Sequence, residues 1–349
     1  MRKLFLSIAI LIVMISCEKN NTISGLFGTR NNIAYIGRFD RQTGDRAVFM
    51  YSGSAIRTNF TGTSVKILLR DDSLRNLFNV IIDGNLSVLK TSDTMEYMLA
   101  ENLQDKVHSL EIVRRTEWFA GNTTFMGFKL DDGAELMKPE MKPHILEFIG
   151  DSYICGYGNE GKSPDEPFKY ETENSYMSYG AITSRSLNSE FISVSYSGFG
   201  LVQDYNGNKN NSLIHHYDRV INNSSQKWNY SEYKPDAVVV ALGGNDVESG
   251  VDSALFVSTY VKFLKRIRNN YGNTMIVCIA GPSAPNEFWP VLRAYIKAAA
   301  EDFAQTDDRV QYFEFTPFTP HGSNAHPNVA EHKQLADEFA PFLRGVMGW

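Results

Sequence analysis

The chain is 349 residues long, 43% hydrophobic and 21% charged, with a formal charge of −6 and 3 cysteines. The apolar fraction is ample for a sizeable core and excludes a chain disordered throughout. Three cysteines exclude a disulfide framework, and an acidic balance without a Lys/Arg cluster excludes a partner held by nucleic-acid phosphates. The length fits one large domain or two of ordinary size.

The first element is a leader. Arg2 and Lys3 precede a short apolar run, Leu4–Ile15, and then Ser16 and Cys17. A basic start, a short apolar stretch and a small residue before a cut describe a secretory signal, and the run is shorter than the roughly 18 to 20 residues that span a bilayer. Met14-Ile15-Ser16-Cys17 resembles a bacterial lipobox, with Met where Leu is usual. The resemblance implies cleavage before Cys17 and a diacylglycerol on its thiol, which would anchor the chain to a membrane surface in the bacterial cell envelope, on its periplasmic face or at the cell surface. The alternative is an ordinary cleaved signal or a membrane anchor. Residues 1–16 are thus read as signal and 17–32 as a polar tether. Loss of Arg2 and Lys3 would move the formal charge from −6 to −8. Cys155 and Cys278 lie in apolar contexts and read as buried free thiols.

Residues 33–136 read as an all-β unit. Val65–Leu69, Phe78–Ile82 and Ser109–Val113 are rich in β-branched residues and strand-like, and Asp83-Gly84 is a hairpin signal. Regularly spaced short strands without a helix predict an antiparallel sandwich or jelly roll. Residues 137–144, with two prolines, read as a linker.

From 145 to 349 the grammar changes. Strands are predicted at Ile145–Ile149, Phe191–Tyr196, Ala237–Leu242, Met275–Ala280 and Val310–Phe313. Helices are predicted at Ser175–Leu187, Ser253–Tyr271, Glu287–Phe303 and Val329–Met347. The alternation predicts an α/β parallel sheet with helices on both faces, whose working residues sit at the carboxyl ends of the strands.

Those ends carry Gly150-Asp151-Ser152, Ser197-Gly198-Phe199-Gly200 and Gly243-Gly244-Asn245-Asp246, and His326-Pro327-Asn328 precedes the last helix. A serine past a strand end is a weak nucleophile until a base takes its proton, and a histidine supplies that base. Acyl transfer then needs fixed donors for an oxyanion. The N–H groups of Ser152 and Gly198 and the side-chain amide of Asn245 are the candidates.

In this order the four blocks resemble those of the SGNH/GDSL hydrolase superfamily, and more closely carbohydrate esterase family 2. Gly37-Arg38, Tyr51–Ile56 and Phe60–Val65 are similar to the sandwich signature of that family. The resemblance implies a jelly-roll sandwich followed by a flavodoxin-like α/β hydrolase domain. It also implies removal of O-acetyl groups from polysaccharides or oligosaccharides such as xylan, mannan or glucan. The superfamily aspartate three residues before the histidine is replaced by Ser323, so a Ser152–His326 dyad is expected, with a backbone carbonyl or Ser323 on the other ring nitrogen. Asp151 reads as a cap for its loop. His321 and His332 are competitors for the base, and His215-His216 reads as surface or cleft lining rather than a metal pair. No metal or other cofactor is implied. Tyr153, Phe199 and Trp289 are the candidates for stacking on a sugar ring, each individually a candidate for plain packing. A non-catalytic glycan-binding lipoprotein and a short-chain esterase or transferase acting on other esters are the competing functions.

Overall fold

The computed structural model describes residues 32–41 and 46–349; the leader, Cys17 and most of the tether lie outside them. The N-terminal part is built of ten strands: β1 Ala34–Ile36, β2 Ala47–Phe49, β3 Ala55–Phe60, β4 Val65–Asp71, β5 Leu77–Ile82, β6 Asn85–Lys90, β7 Glu96–Ala100, β8 His108–Arg114, β9 Thr123–Leu130 and β10 Leu136–Met137. They form two antiparallel sheets, one ordered β1-β3-β8-β5-β6 with β10 added on β3, the other β2-β9-β4-β7. Alternation decides which side faces in: Val65, Ile67 and Leu69 of β4 are buried while Lys66, Leu68 and Arg70 are not. The inward residues of both sheets, among them Phe49, Phe60, Phe78 and Phe125, make one core, as a sandwich requires. Asp83 (φ 49°) and Gly84 (φ 82°) join β5 to β6 in a two-residue turn. The paired positive φ values are those of the type I′ turn that matches strand twist.

The C-terminal part carries a parallel five-stranded sheet: β11 His144–Gly150, β12 Ser189–Ser195, β13 Ala237–Ala241, β14 Met275–Ala280 and β15 Val310–Glu314, ordered β12-β11-β13-β14-β15. β13 is buried along its whole length, which is why Ala-Val-Val-Val-Ala shows no alternation. The helices are α1 Ser152–Cys155, α2 Tyr179–Ser186, α3 Leu213–His216, α4 Gly244–Glu248, α5 Ser253–Tyr271, α6 Phe288–Ala304 and α7 Val329–Met347. Helices α2 and α7 pack together, as do α5 and α6. The helix predicted over Ser175–Leu187 is interrupted. A 3₁₀ turn at Ser175–Met177 ends at Ser178, whose extended backbone and hydroxyl cap α2, because a serine at that position competes better as a cap than as a helix interior.

The two parts share a continuous core. Ile36, Met50, Tyr51, Ala55 and Val113 of the sandwich pack into the same apolar cluster as Ile149, Val194 and Val240 of the parallel sheet. Arg38, fully buried, crosses the boundary. It donates to the carbonyl of Tyr217, lies 3.6 Å from the Glu147 carboxylate and stacks on Tyr217 at 4.9 Å. Glu147 in turn accepts the hydroxyls of Tyr217, Tyr233 and Tyr271 at 2.9, 2.5 and 2.7 Å.

Candidate active site

Order β12-β11-β13 places the first three blocks side by side at one end of the sheet, the switch point at which doubly wound folds bind ligands. β11 ends at Gly150, Asp151 accepts the Tyr153 N–H at 3.2 Å as the N-cap of α1, and Ser152 opens that helix. Ser152 is 8% exposed, and its hydroxyl meets His326 Nε2 at 2.9 Å. His326 Nδ1 is 2.9 Å from the carbonyl of Asn324. A carbonyl only accepts, so Nδ1 carries the hydrogen and Nε2 is left to take the serine proton. No carboxylate bonds His326 among the described residues, and the backbone replaces the missing aspartate. Asn324 and Ala325 both sit in the left-handed region (φ 50° and 54°), which for alanine costs about 1–2 kcal/mol; the chain reverses there so that the Asn324 carbonyl faces the ring two residues on. The side chain of Ser323 is buried against Gly158 and Gly161, so that only its backbone, beside that of Asn324, acts on the ring.

Burial pulls the imidazole of His326 down from 6.5 to about 4, against the opposing pull of the Asn324 carbonyl. The ring is held by Tyr157 at 4.5 Å, itself stacked on Phe168 at 4.2 Å, and by Tyr153 at 5.4 Å. The competitors sit elsewhere: His332 is fully buried and accepts the Tyr179 N–H, and the exposed His321 is paired with Glu331 at the cleft rim.

Three candidate oxyanion donors stand at this end of the sheet. Ser152 N–H is the first of its helix, left without an intrahelical acceptor. Gly198 lies in the turn Tyr196–Phe199, closed by the Phe199 N–H to the Tyr196 carbonyl at 3.2 Å. Its φ of 79° is that of the third residue of a type II turn, which calls for glycine. Asn245, on α4, is steadied by one amide contact to the Phe199 carbonyl at 3.0 Å, with Asp151 at 3.5 Å. Asp246, which the sequence offered only as part of a block, accepts the N–H groups of Leu201, Val202 and Gln203 at 2.7, 2.8 and 3.2 Å and so fixes the far side of the Gly198 loop. Burial raises its carboxyl to about 6 and that of Asp151 to about 7. The near side of the loop meets Glu117, a buried residue of the sandwich that no motif marked; it accepts the Ser197 N–H at 2.7 Å.

Ser152, Asn245 and His326 open on a cleft of about 570 Å³ walled by the segments 281–284 and 319–326. Tyr153 lines it. Phe199 does not. Only 4% exposed, it stacks on Tyr196 at 5.0 Å and meets Trp118 and His216, because its backbone forms the loop while its apolar ring turns into the core. Trp289 is half-buried behind the Gly281-Pro282 turn and outside the cleft lining. His216 is likewise in the core beside Phe199, with only His215 exposed.

The fold and site define a serine hydrolase of the GDSL type. Two family descriptions divide the chain between them: carbohydrate esterase 2 N-terminal over residues 35–139 and GDSL-like lipase/acylhydrolase family over 148–336. A family two carbohydrate esterase from Clostridium thermocellum, solved with cellohexaose, is similar at a TM-score of 0.87 and 32% identity, covering 91% of this chain and 99% of that one. A family two carbohydrate esterase from Cellvibrio japonicus gives 0.85 and 25%, covering 92% and 96%. Among curated proteins, the cellulase/esterase CelE of Acetivibrio thermocellus is 33% identical over 91% of this chain, which spans 40% of that relative's length. An acetylxylan esterase/glucomannan deacetylase of Cellvibrio japonicus is 27% identical over 86% of both chains. The chain belongs to carbohydrate esterase family 2.

Proposed function

We propose that the protein is a serine esterase that removes O-acetyl groups from a polysaccharide or oligosaccharide such as xylan, mannan or glucan. The observation that carries this reading is the 2.9 Å contact between Ser152 Oγ and His326 Nε2 at the mouth of the cleft. Ser152 Oγ attacks the acetyl carbonyl as His326 takes its proton. The resulting oxyanion lies against the Ser152 and Gly198 N–H groups and the Asn245 amide, donors already oriented before charge develops. His326 returns the proton to the departing sugar oxygen, leaving an acetyl group on Ser152. A water activated by the same ring releases acetate. The likeness to proteins named as acetylxylan esterase and glucomannan deacetylase supports acetyl as the group removed and a glycan such as xylan or glucomannan as its carrier.

Acetate release from acetylated xylan, mannan and glucan, compared between wild type and Ser152→Ala, is the test. Loss of acetate release in the variant is expected, whereas equal release by both proteins would remove the dyad. A steep fall in rate with acyl chains longer than propionyl separates this reading from a general acyl esterase.

We also propose that Cys17 carries a lipid anchor holding the enzyme on the bacterial cell envelope. Its support is the Met14–Cys17 sequence after the apolar run. Fatty-acid labelling of the intact protein, absent in Cys17→Ser, tests it.

A further inference from the structure

The loop that holds Gly198 is fixed at its two ends by two different halves of the molecule. On the C-terminal side the α/β half supplies Asp246. On the N-terminal side the sandwich supplies Glu117, completely buried, at the start of the 3₁₀ turn Trp118–Ala120 between β8 and β9. Glu117 Oε2 accepts the Ser197 N–H at 2.7 Å, Oε1 accepts the Ser197 hydroxyl, and the Cys155 thiol of α1 points at Oε2 from 3.4 Å. One carboxyl therefore bridges the Gly198 loop and the helix that begins with Ser152. The next residue, Trp118, packs on Tyr196 and Phe199, the two residues that bracket Ser197-Gly198.

This carboxyl stands where a turn is easily misdirected. In a type II turn the N–H of the third residue belongs to the central peptide, and rotation of that peptide converts type II to type I, pointing the N–H to the opposite face. Glycine at 198 permits φ 79° without strain but tolerates the alternative equally well. Burying a carboxyl next to a second buried carboxyl, Glu173, which accepts the Glu117 N–H at 3.3 Å, is costly. Burial pushes both groups up. Glu173 and the Ser197 donors pull Glu117 back down against that push, while the neighbouring Glu117 carboxyl pushes Glu173 further up.

We propose that Glu117 is a positioning residue for the oxyanion donor: by holding the Ser197 N–H and hydroxyl it sets the face from which the Gly198 N–H meets the acyl oxygen. The inference rests on the esterase reading of Ser152. It assigns to the sandwich a direct part in orienting the catalytic loop, in addition to shaping the boundary.

The test compares kcat and KM on a chromogenic acetate ester, using the full-length protein. Glu117→Ala should lower kcat about 10- to 100-fold, less than outright loss of an oxyanion donor, with KM within two-fold. Glu117→Gln keeps an acceptor for the Ser197 N–H and a polar group for its hydroxyl, and should recover to within about three-fold of wild type. Ser197→Pro removes the N–H while suiting the second position of a type II turn. It should reproduce the Glu117→Ala loss and decides the matter if the alanine variant does not fold. Val80→Ala, in a sandwich core cluster that holds no residue of the loop, serves as the stability control and should lower the melting temperature with kcat unchanged. Folded Glu117→Ala or Ser197→Pro proteins with kcat within two-fold of Val80→Ala would overturn the proposal while leaving the esterase standing. A wild type or Ser152→Ala result contradicting ester hydrolysis at Ser152 would remove both.

Discussion

The α/β half and the sandwich half reach the catalytic centre by different routes. In the α/β half, Ser152, Gly198 and Asn245 each stand within a few residues of a strand end, and His326 stands just before a helix. Each belongs to a short motif, and the parallel sheet assembles the motifs at one edge. The sandwich contributes through scattered single residues: Glu117 on the Gly198 loop, Arg38 of the Gly37-Arg38 signature on Glu147, and Phe119 on Phe168 at 5.6 Å, which continues through Tyr157 to His326. The candidate reacting groups come from one half, and several groups that hold them in place come from the other. Chemistry and support can therefore be separated by mutation.

The largest effect belongs to the chemistry. Ser152→Ala should lower kcat by about 10⁶-fold with the fold unchanged, measured as acetate release alongside a melting curve; a small loss would mean the nucleophile is elsewhere. Next comes support at the domain boundary. Arg38→Ala leaves Glu147 buried without its cation and should cost about 3–5 kcal/mol in unfolding free energy, read from urea denaturation, with kcat of the folded protein little changed. An unaltered midpoint would break the idea that Arg38 clamps the halves together. Asn245→Ala should reduce kcat about 10²- to 10³-fold with little change in KM, which sharpens the comparison because its cost appears in rate where that of Arg38 appears in stability.

The pH profile tests the dyad directly. His326 must be neutral to act as base, and burial holds it near 4. The expected kcat/KM is flat down to about pH 5 and half lost near pH 4; a fall centred on 6.5 would mean a solvated imidazole. Stability follows the same sign. The unfolded chain takes up a proton near 6.5 that the folded ring refuses until about 4, so stability declines as pH falls through that window. His332, held by burial near 3, extends the decline. The smallest effect lies in the sandwich, at a hairpin turn outside the cleft lining. Gly84→Ala places a side chain at φ 82° in the β5–β6 turn and should cost about 1 kcal/mol without touching kcat.

Legibility in the sequence followed the range of the interaction. Helix α5 and strand β14 fall on the residues their patterns marked, because periodicity reports local burial over many residues at once. The helix expected from Ser175 broke at Ser178 because a single cap outweighed the pattern. In the site, residue types at strand ends marked the serine and the candidate donors, and the block before α7 marked the histidine. The sequence left a backbone carbonyl or Ser323 open for the other nitrogen of His326, and the structure gives the Asn324 carbonyl; three features were not legible: which carbonyl that is, the carboxyl of Asp246 on three successive N–H groups, and Glu117. A backbone carbonyl carries no sequence signature, and a lone carboxylate in a loop is indistinguishable from a solvated one until its partners are known. Phe199 shows the converse error, since an aromatic inside a catalytic block was read toward the substrate while its ring packs inward.

The sequence by itself determined the order of the strands and long helices in the α/β half, the hairpin at Asp83-Gly84, the family and the candidates for the groups that carry acyl transfer, because each rests on periodicity or on contiguous motifs. The tertiary structure alone decided which atom orients the imidazole, which aromatic rings face the cleft, and that the sandwich reaches the Gly198 loop through Glu117, 80 residues from Ser197 in the chain. Those are matters of distance between buried polar groups, and burial across a domain boundary is a property of the packed chain, absent from any window of it.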